Sequence, residues 1–287
     1  MFKLDNKKII FIFILTIFIF FIGLRIFYIF TKQPSMDETV VGYEAYSLLK
    51  TGADRHGNFF PVHFYNFGWG ENIVLSLILI PLIKLWGLST LIIRIPIFIA
   101  SLLSIFFTYL LGKELFNKKI GLIAALLLTI SPWHIYVSTT GYNVCLLPFF
   151  YTALIYYLLK FFKQKKYSSL YISTIISAIS FYTYALSFLW VPLIYLIFLF
   201  IYRDKIISHK KIILFNFIIL ILLISPITLF YLQNQFHLLN YEQFGPFSFP
   251  HLEKTRLDML SAFNNPFIFT TNFILQYFIH LLILPFA

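Results

Sequence analysis

The chain has 287 residues, of which 60% are hydrophobic, 21% aromatic and 11% charged. A soluble domain carries roughly 25% charged residues, and one core cannot hide this much apolar surface, so the composition excludes a soluble protein and makes the bilayer the solvent. The net charge of +11 suggests nucleic acid at first sight, but its distribution follows membrane topology instead.

Residues 9–30 are long enough to cross a bilayer, which takes about 20 apolar residues. They lack the small-residue cleavage site of a signal peptide, so a retained first helix is expected. Basic clusters then recur along the chain: Lys3, Lys7 and Lys8; Lys113, Lys118 and Lys119; Lys160, Lys163, Lys165 and Lys166; Arg203, Lys205, Lys210 and Lys211. The positive-inside rule assigns such clusters to the cytoplasmic face, which places the N-terminus there. The loops at 31–72 and 233–270 fall outside, and they hold Asp37, Glu38, Glu44, Asp54, Glu71, Glu242, Glu253 and Asp258. Two full spans within 73–112 would invert every later cluster. One interfacial helix over 73–85, anchored by Lys84 and Trp86 and broken near Pro81 and Gly87, followed by a span over 91–111, keeps the parity. Further spans are expected at 120–137, 144–162, 170–184, 188–202, 212–232 and from 273 onward, eight in all. The whole of 1–287 reads as a single transmembrane domain, and its stop at Ala287 leads us to expect the N-terminal part of a longer chain. The lone Cys145 allows no internal disulfide and no cysteine metal cluster, and reads as a small buried apolar residue.

The chemistry is concentrated in the first outer loop. Ser35 followed by Glu38 is a capping-box pattern that starts a helix. Val41, Ala45, Leu48 and Leu49 form one apolar face, Lys50 falls in the last turn and Gly52 suits the stop. A helix of this kind lies flat on a membrane, with Asp37 in its first turn near the headgroups. A helix N-terminus favours the charged form of a carboxylate, and such a group can take a proton from an incoming hydroxyl; acids in a first turn are equally common for stability alone. Glu71 reads as a metal ligand, a second acid–base group or a solvated flank. Asp54, His56 and His63 lack dense ligand spacing. Tyr65, Phe67 and Trp69 can stack on a sugar or anchor the loop at the interface.

These residues resemble a known family. Met36-Asp37-Glu38, Gly42-Tyr43-Glu44-Ala45-Tyr46, Thr51-Gly52-Ala53-Asp54-Arg55-His56-Gly57 and Pro61 are similar to the first outer loop of GT-C fold membrane glycosyltransferases of glycosyltransferase family 39. Arg94-Ile95-Pro96, Gly112-Lys113-Glu114-Leu115-Phe116, Ser131-Pro132-Trp133-His134-Ile135, Tyr182-Thr183-Tyr184 and Pro192 continue the resemblance in order. The family comprises protein mannosyltransferases and aminoarabinose transferases that use polyprenyl-phosphate sugars. The resemblance implies an all-α polytopic membrane protein, a GT-C-like transmembrane helix bundle with amphipathic interfacial helices in the first outer loop. It makes Asp37 the catalytic base beside Glu38, and Glu71 the candidate ligand of a divalent metal. Tyr43, Asp54, Arg55, His56, Arg94, Lys254 and Arg256 are candidate substrate contacts. The implied partners are a polyprenyl-phosphate-linked sugar, a hydroxyl acceptor on glycan, lipid or protein, and the lipid bilayer, with no nucleic acid.

The chain departs from the family pattern at Asn72, Thr139 and Phe188, where members carry lysine or arginine. A leaving phosphate is normally met by such cations, so Lys50, Arg55, Arg94, Lys254 and Arg256 are the candidate substitutes, or a metal. A transporter or flippase of lipid-linked sugars is the competing expectation, and a catalytically inactive scaffold the third. Transport calls for polar residues near the midplane. The candidates inside spans are Arg25 and Arg94, both near span ends and expected to snorkel to the headgroups.

Overall fold

The computed structural model describes residues 6–66, 68–236 and 243–253. The first helix, α1 (Asn6–Thr31), turns through 78° into α2 (Met36–Thr51). A short antiparallel hairpin, β1 (Phe64–Asn66) and β2 (Trp69–Glu71), follows, then α3 (Val74–Trp86) and α4 (Thr90–Leu115). Next come α5 (Lys118–Ile130), α6 (Pro132–Val137) and a 3-10 turn over Asn143–Leu146. The bundle continues with α7 (Leu147–Gln164), α8 (Tyr167–Thr183), α9 (Ser187–Ile201), the short α10 (Arg203–Ser208) and α11 (Lys210–Phe236). Strands β3 (Gln243–Phe244) and β4 (Phe247–Ser248) close the described part. This is an all-α membrane bundle with two small hairpins.

Among the described residues, three helical stretches are long and apolar enough to cross a membrane: Thr90–Leu115, Asn143–Gln164 and Lys210–Asn234. The bent pair Leu15–Thr31 and Met36–Thr51 adds a fourth if taken as one span, and Ser187–Ile201 is a shorter apolar helix. Helices thus occupy the first seven expected span positions, several of them shorter than a full crossing; the eighth lies outside the described residues. One expected span is broken. Ser131 leaves the helix and Pro132 opens α6 at its first position, where a missing N–H costs nothing, so 120–137 is two helices rather than one.

The bundle has two distinct ends. At one, Lys163 Nζ donates to the Glu114 carbonyl at 2.6 Å and Lys205 Nζ to the Phe162 carbonyl at 2.8 Å. Three basic clusters therefore share that end. At the other, the first and second acidic loops meet: Val62 N–H donates to the Ser248 carbonyl, Ser248 N–H to that of Phe60, and Tyr65 Oη to Glu253 Oε1 at 2.8 Å. Helix α4, 26 residues and about 39 Å long, runs between the two. Helix α3 does not. It starts beside Asn143, and Leu88, two residues after its end, packs against Gly42 of α2. It begins and ends at the loop end, as the parity of the lysine clusters requires. Lys84 and Trp86 are exposed near its C-terminus. Gly87 ends the helix at φ 78°, while Pro81 sits inside a continuous helix and breaks nothing.

Glycines set the closest helix approach. A Cβ on Gly112 would lie 2.6 Å from the Cα of Gly121, and one on Gly121 would lie 2.5 Å from the Tyr109 carbonyl. Small residues let α4 and α5 meet backbone to backbone, which is how helices gain contact in lipid. Replacing Gly121 with alanine adds helix propensity of about 1 kcal/mol, but overpacking costs about 1–3 kcal/mol and wins. Gly23, with nothing within 4 Å, has only the propensity gain. Thermal unfolding in detergent is therefore expected to show Gly121→Ala less stable than wild type and Gly23→Ala equal or more stable.

Candidate active site

The capping box forms as the sequence predicts. Ser35 Oγ accepts from Glu38 N–H, and Glu38 Oε2 accepts from Ser35 N–H at 2.9 Å. Gly52 closes α2 with φ 77°. The apolar face of α2 meets protein, packing on α3 and α4. Val41 and Ala45 are buried in the same core as Leu75, Leu79, Ile93 and Ile97, and Ser76 Oγ donates to the Val41 carbonyl. The opposite face carries Tyr43, Tyr46 and Lys50, all exposed, and Asp37 is exposed in the first turn, one turn before Val41.

Neighbouring acids take opposite environments here. Asp37 is exposed and makes no hydrogen bond or ion pair with a described residue. Glu38 is fully buried and paired with Arg94 at 2.7 and 2.8 Å through both carboxylate oxygens. It also accepts from Gly141 N–H at 2.7 Å. Burial pushes its carboxyl up, but Arg94, Ser35 and Gly141 outweigh it and hold the group below the usual range. The other Arg94 donors go to the carbonyls of Ile29, Lys32 and Gln33. All five guanidinium N–H groups are thereby engaged. Arg94 does not snorkel; it is an internal strut between α4, the end of α1 and the start of α2.

Arg25 is likewise fully buried, against the expectation of snorkelling. It donates to the carbonyls of Phe21 and Thr129 and, at 3.0 Å, to His134 Nδ1. Because arginine only donates, His134 carries its proton on Nε2 and passes it as a hydrogen bond to Ser104 Oγ at 2.8 Å. The partners lie more than 100 residues apart in sequence, and no local signal announces them.

Candidate contacts further along the loop organise the loop itself. Asp54 accepts from His56 N–H, Asn58 N–H and Asn58 Nδ2. Arg55 reaches Asn66 Oδ1 and the Tyr65 carbonyl from Nη2, while its Nε–H points at His56 Nε2, 3.1 Å away. The same Nε lies 3.0 Å from Glu44 Oε1, a charge contact, and Arg55 N–H donates to Glu44 Oε2 at 3.1 Å. Glu71 Oε1 accepts from Asn143 Nδ2 at 3.0 Å, and Asn143 Oδ1 in turn receives Leu75 N–H at the start of α3. Among the described residues no group of three or more His, Cys, Asp or Glu side chains is placed to hold a metal ion, so Glu71 gathers no ligand set around it. Lys254 and Arg256 lie outside the described residues.

Sequence reading passed over Glu44, although Val41 three residues before it and Leu48 four after it put it on the apolar face. Its side chain is fully buried. Burial pushes its carboxyl up to about 7 against the Arg55 N–H and charge, with Asp54 and Glu71 adding to the rise.

Beneath this loop an apolar cavity of about 1370 Å³ opens between α3, α4, α7 and α8. Phe60, Pro61, Val62 and Phe64 roof it, and it descends past Ile95 and Ile99 to Leu103, about 12 Å along α4 from Ile95. It exceeds the roughly 300–1,000 Å³ of ordinary small-molecule pockets.

The raised Glu44 carboxyl makes a pH prediction. The folded state holds this proton more tightly than the unfolded chain, whose value is near 4.5. The stability that Glu44 contributes is therefore complete at acid pH and is lost as pH rises from about 4.5 to about 7. Melting temperatures measured across that range are expected to fall more steeply for wild type than for Glu44→Gln. Parallel curves would mean that Glu44 does not titrate there.

The family model for dolichyl-phosphate-mannose-protein mannosyltransferase matches residues 72–230, more than half of the 287 residues. No curated protein and no solved structure matches the chain. The matched stretch holds Arg94, the Arg25 partner His134, Gly141 and Asn143, and most of the cavity wall. The chain belongs to the dolichyl-phosphate-mannose-protein mannosyltransferase family, which are membrane glycosyltransferases.

Proposed function

We propose that this chain transfers a sugar from a polyprenyl-phosphate donor to a hydroxyl acceptor at the outer face of the cell membrane, with inversion at the anomeric carbon. The observation that carries the reading is the apolar cavity directly beneath the polar loop. A long isoprenoid tail fits its lining, and the loop above offers carboxylates and tyrosines for a sugar. The basic clusters gathered at the opposite end support a loop that faces outside, by the positive-inside rule.

The acceptor oxygen bonds to the anomeric carbon while the bond from that carbon to the phosphate oxygen breaks. Polyprenyl phosphate leaves with the electron pair, and the hydroxyl proton passes to Asp37. An exposed carboxylate in the first turn of α2, without a partner among the described residues, suits a base that must meet an incoming hydroxyl. Glu38 and Arg94 act as positioning residues. Their buried pair fixes the turn that carries Asp37, and neither has an oxygen or N–H to spare for substrate in this arrangement. Tyr43, exposed on the same helix, offers a ring face to the acceptor. Glu71, held by Asn143 and two residues before Ile73 of the cavity wall, is a second acid of the loop.

Ion-coupled transport is the weaker reading. The polar groups within the bundle, Arg25, His134 and Ser104, are locked to one another. Among the described residues no Asp or Glu lies in the middle of a spanning helix.

Labelled polyprenyl-phosphate sugars supplied to the protein in membranes test the proposal. Wild type is expected to break the sugar–phosphate link of at least one donor, and Asp37→Asn to lose at least a hundredfold in rate, the scale of general-base catalysis at roughly 10²–10⁴. Equal consumption by both would leave Asp37 as a helix-start residue. No consumption by wild type, with divalent metal and a cell-envelope acceptor extract present, would move the assignment to a transporter or an inactive relative.

A further inference from the structure

Of the cations described at the loop end, most are already committed or fully exposed. Arg94 has no N–H left to give. Arg55 is held by Glu44, Asn66 and the Tyr65 carbonyl. Lys50 and Lys84 are exposed, Lys50 lying over the Tyr46 ring at 5.7 Å. Lys32 differs. It is partly buried, and its Nζ donates to Thr140 Oγ1 at 2.6 Å and lies 4.1 Å from the centre of the Tyr136 ring. No carboxylate forms an ion pair with it among the described residues. Thr140 Oγ1 passes its own proton to the Tyr136 carbonyl, so it serves the ammonium only as an acceptor. Three N–H donors, one spent on Thr140, leave Lys32 with capacity for an anion.

Its location connects it to Asp37. Three consecutive residues line the start of α2. Thr140 takes the Lys32 ammonium, Gly141 N–H holds Glu38, and Tyr142 lies against Ser35 and senses the Asp37 charge. The Lys32 backbone carbonyl is itself fixed by Arg94. Lys32 is thus held at Thr140 while Asp37 stands exposed beside Glu38, which Gly141 holds, so that a base and a cation without an ion-pair partner among the described residues share one short region. An inverting displacement needs both, because charge develops on the leaving oxygen while the base works on the entering one. Lys32, one residue past the end of α1, brings a positive charge to Thr140. Burial pulls the Lys32 ammonium below its usual range, Glu38 opposing and Arg94 adding to the shift; an arriving phosphate would relieve that cost.

We infer that Lys32 is the residue that receives the phosphate of the polyprenyl-phosphate donor, held by Thr140 and the Tyr136 ring until the lipid arrives. This rests on the donor class proposed above. A phospholipid headgroup offers the same phosphate chemistry, and the test separates the two sources.

Binding of polyprenyl phosphate, of polyprenol without phosphate, and of phosphatidylglycerol is measured on the full chain in detergent for wild type, Lys32→Arg and Lys32→Gln. The expected result is that Lys32→Gln binds polyprenyl phosphate about tenfold to a hundredfold more weakly, the range for one charge-assisted hydrogen bond. Lys32→Arg is expected to stay close to wild type, and polyprenol to bind all three equally, which also shows that each variant is folded. Equal polyprenyl-phosphate binding by wild type and Lys32→Gln would overturn the role of Lys32 while the donor reading stands. If phosphatidylglycerol displaces polyprenyl phosphate from wild type at equal concentration, the cation serves a bilayer headgroup and the assignment to the donor falls. If wild type binds no polyprenyl phosphate, the donor reading fails and takes this inference with it.

Discussion

The buried pair between Glu38 and Arg94 is the constraint on which the loop end depends. Helix α1 ends with carbonyls that have no intrahelical partner, and the chain must then turn through 78°. Arg94, arriving from α4, supplies N–H groups to the carbonyls of Ile29, Lys32 and Gln33 and two more to Glu38. Glu38 completes the capping box of α2 and takes the Gly141 N–H. One ion pair therefore joins α1, α2, α4 and the segment after α6. A side chain on Gly141 would meet Ile93 at 2.7 Å and Glu38 at 3.1 Å, so that glycine is part of the same clamp. Burying two charges is costly, and such a pair repays the cost only when its remaining hydrogen bonds are satisfied; here they are.

Local signals in the sequence carry a good part of this. The capping box at Ser35 and Glu38 and the stop at Gly52 depend on a few adjacent residues, and both form. The distribution of lysines implies that α3 stays at one end, and its contacts put it there. Features set by distant partners are not legible. Arg25 and Arg94 sit near span ends, where snorkelling is the ordinary outcome, but His134 with two backbone carbonyls holds the first inside and Glu38 with three holds the second. The apolar face of α2 is plain in the pattern of Val41, Ala45 and Leu48. Whether lipid or protein covers it depends on where α3 and α4 fall. Glu44 lies on that face and goes inside with it.

The arrangement divides labour between adjacent acids. The capping box turns Glu38 back toward Ser35, where Arg94 meets it, while Asp37 stays exposed in the same first turn. The cavity, which meets α2 at its far end through Leu48 and Gly52, is lined by apolar side chains apart from the tyrosine hydroxyl of Tyr182, which donates to the Leu223 carbonyl. Polar side chains stay in the loop, and the bundle below it encloses an apolar slot. The loop is tied down by Asp54, Arg55 and the contact with Ser248, which keeps its aromatic roof over the slot.

The claim at the centre is that Asp37 does chemistry while Glu38 holds structure. Melting temperature and donor turnover, measured together on Asp37→Asn and Glu38→Gln, separate the two roles most directly. Asp37→Asn is expected to melt like wild type, since exposed substitutions change stability by about 0.5 kcal/mol or less, and to lose turnover. Glu38→Gln is expected to lose about 3–5 kcal/mol by stranding the Arg94 charge, and to lose turnover with it. Wild-type turnover in Asp37→Asn, or wild-type stability in Glu38→Gln, would contradict the account.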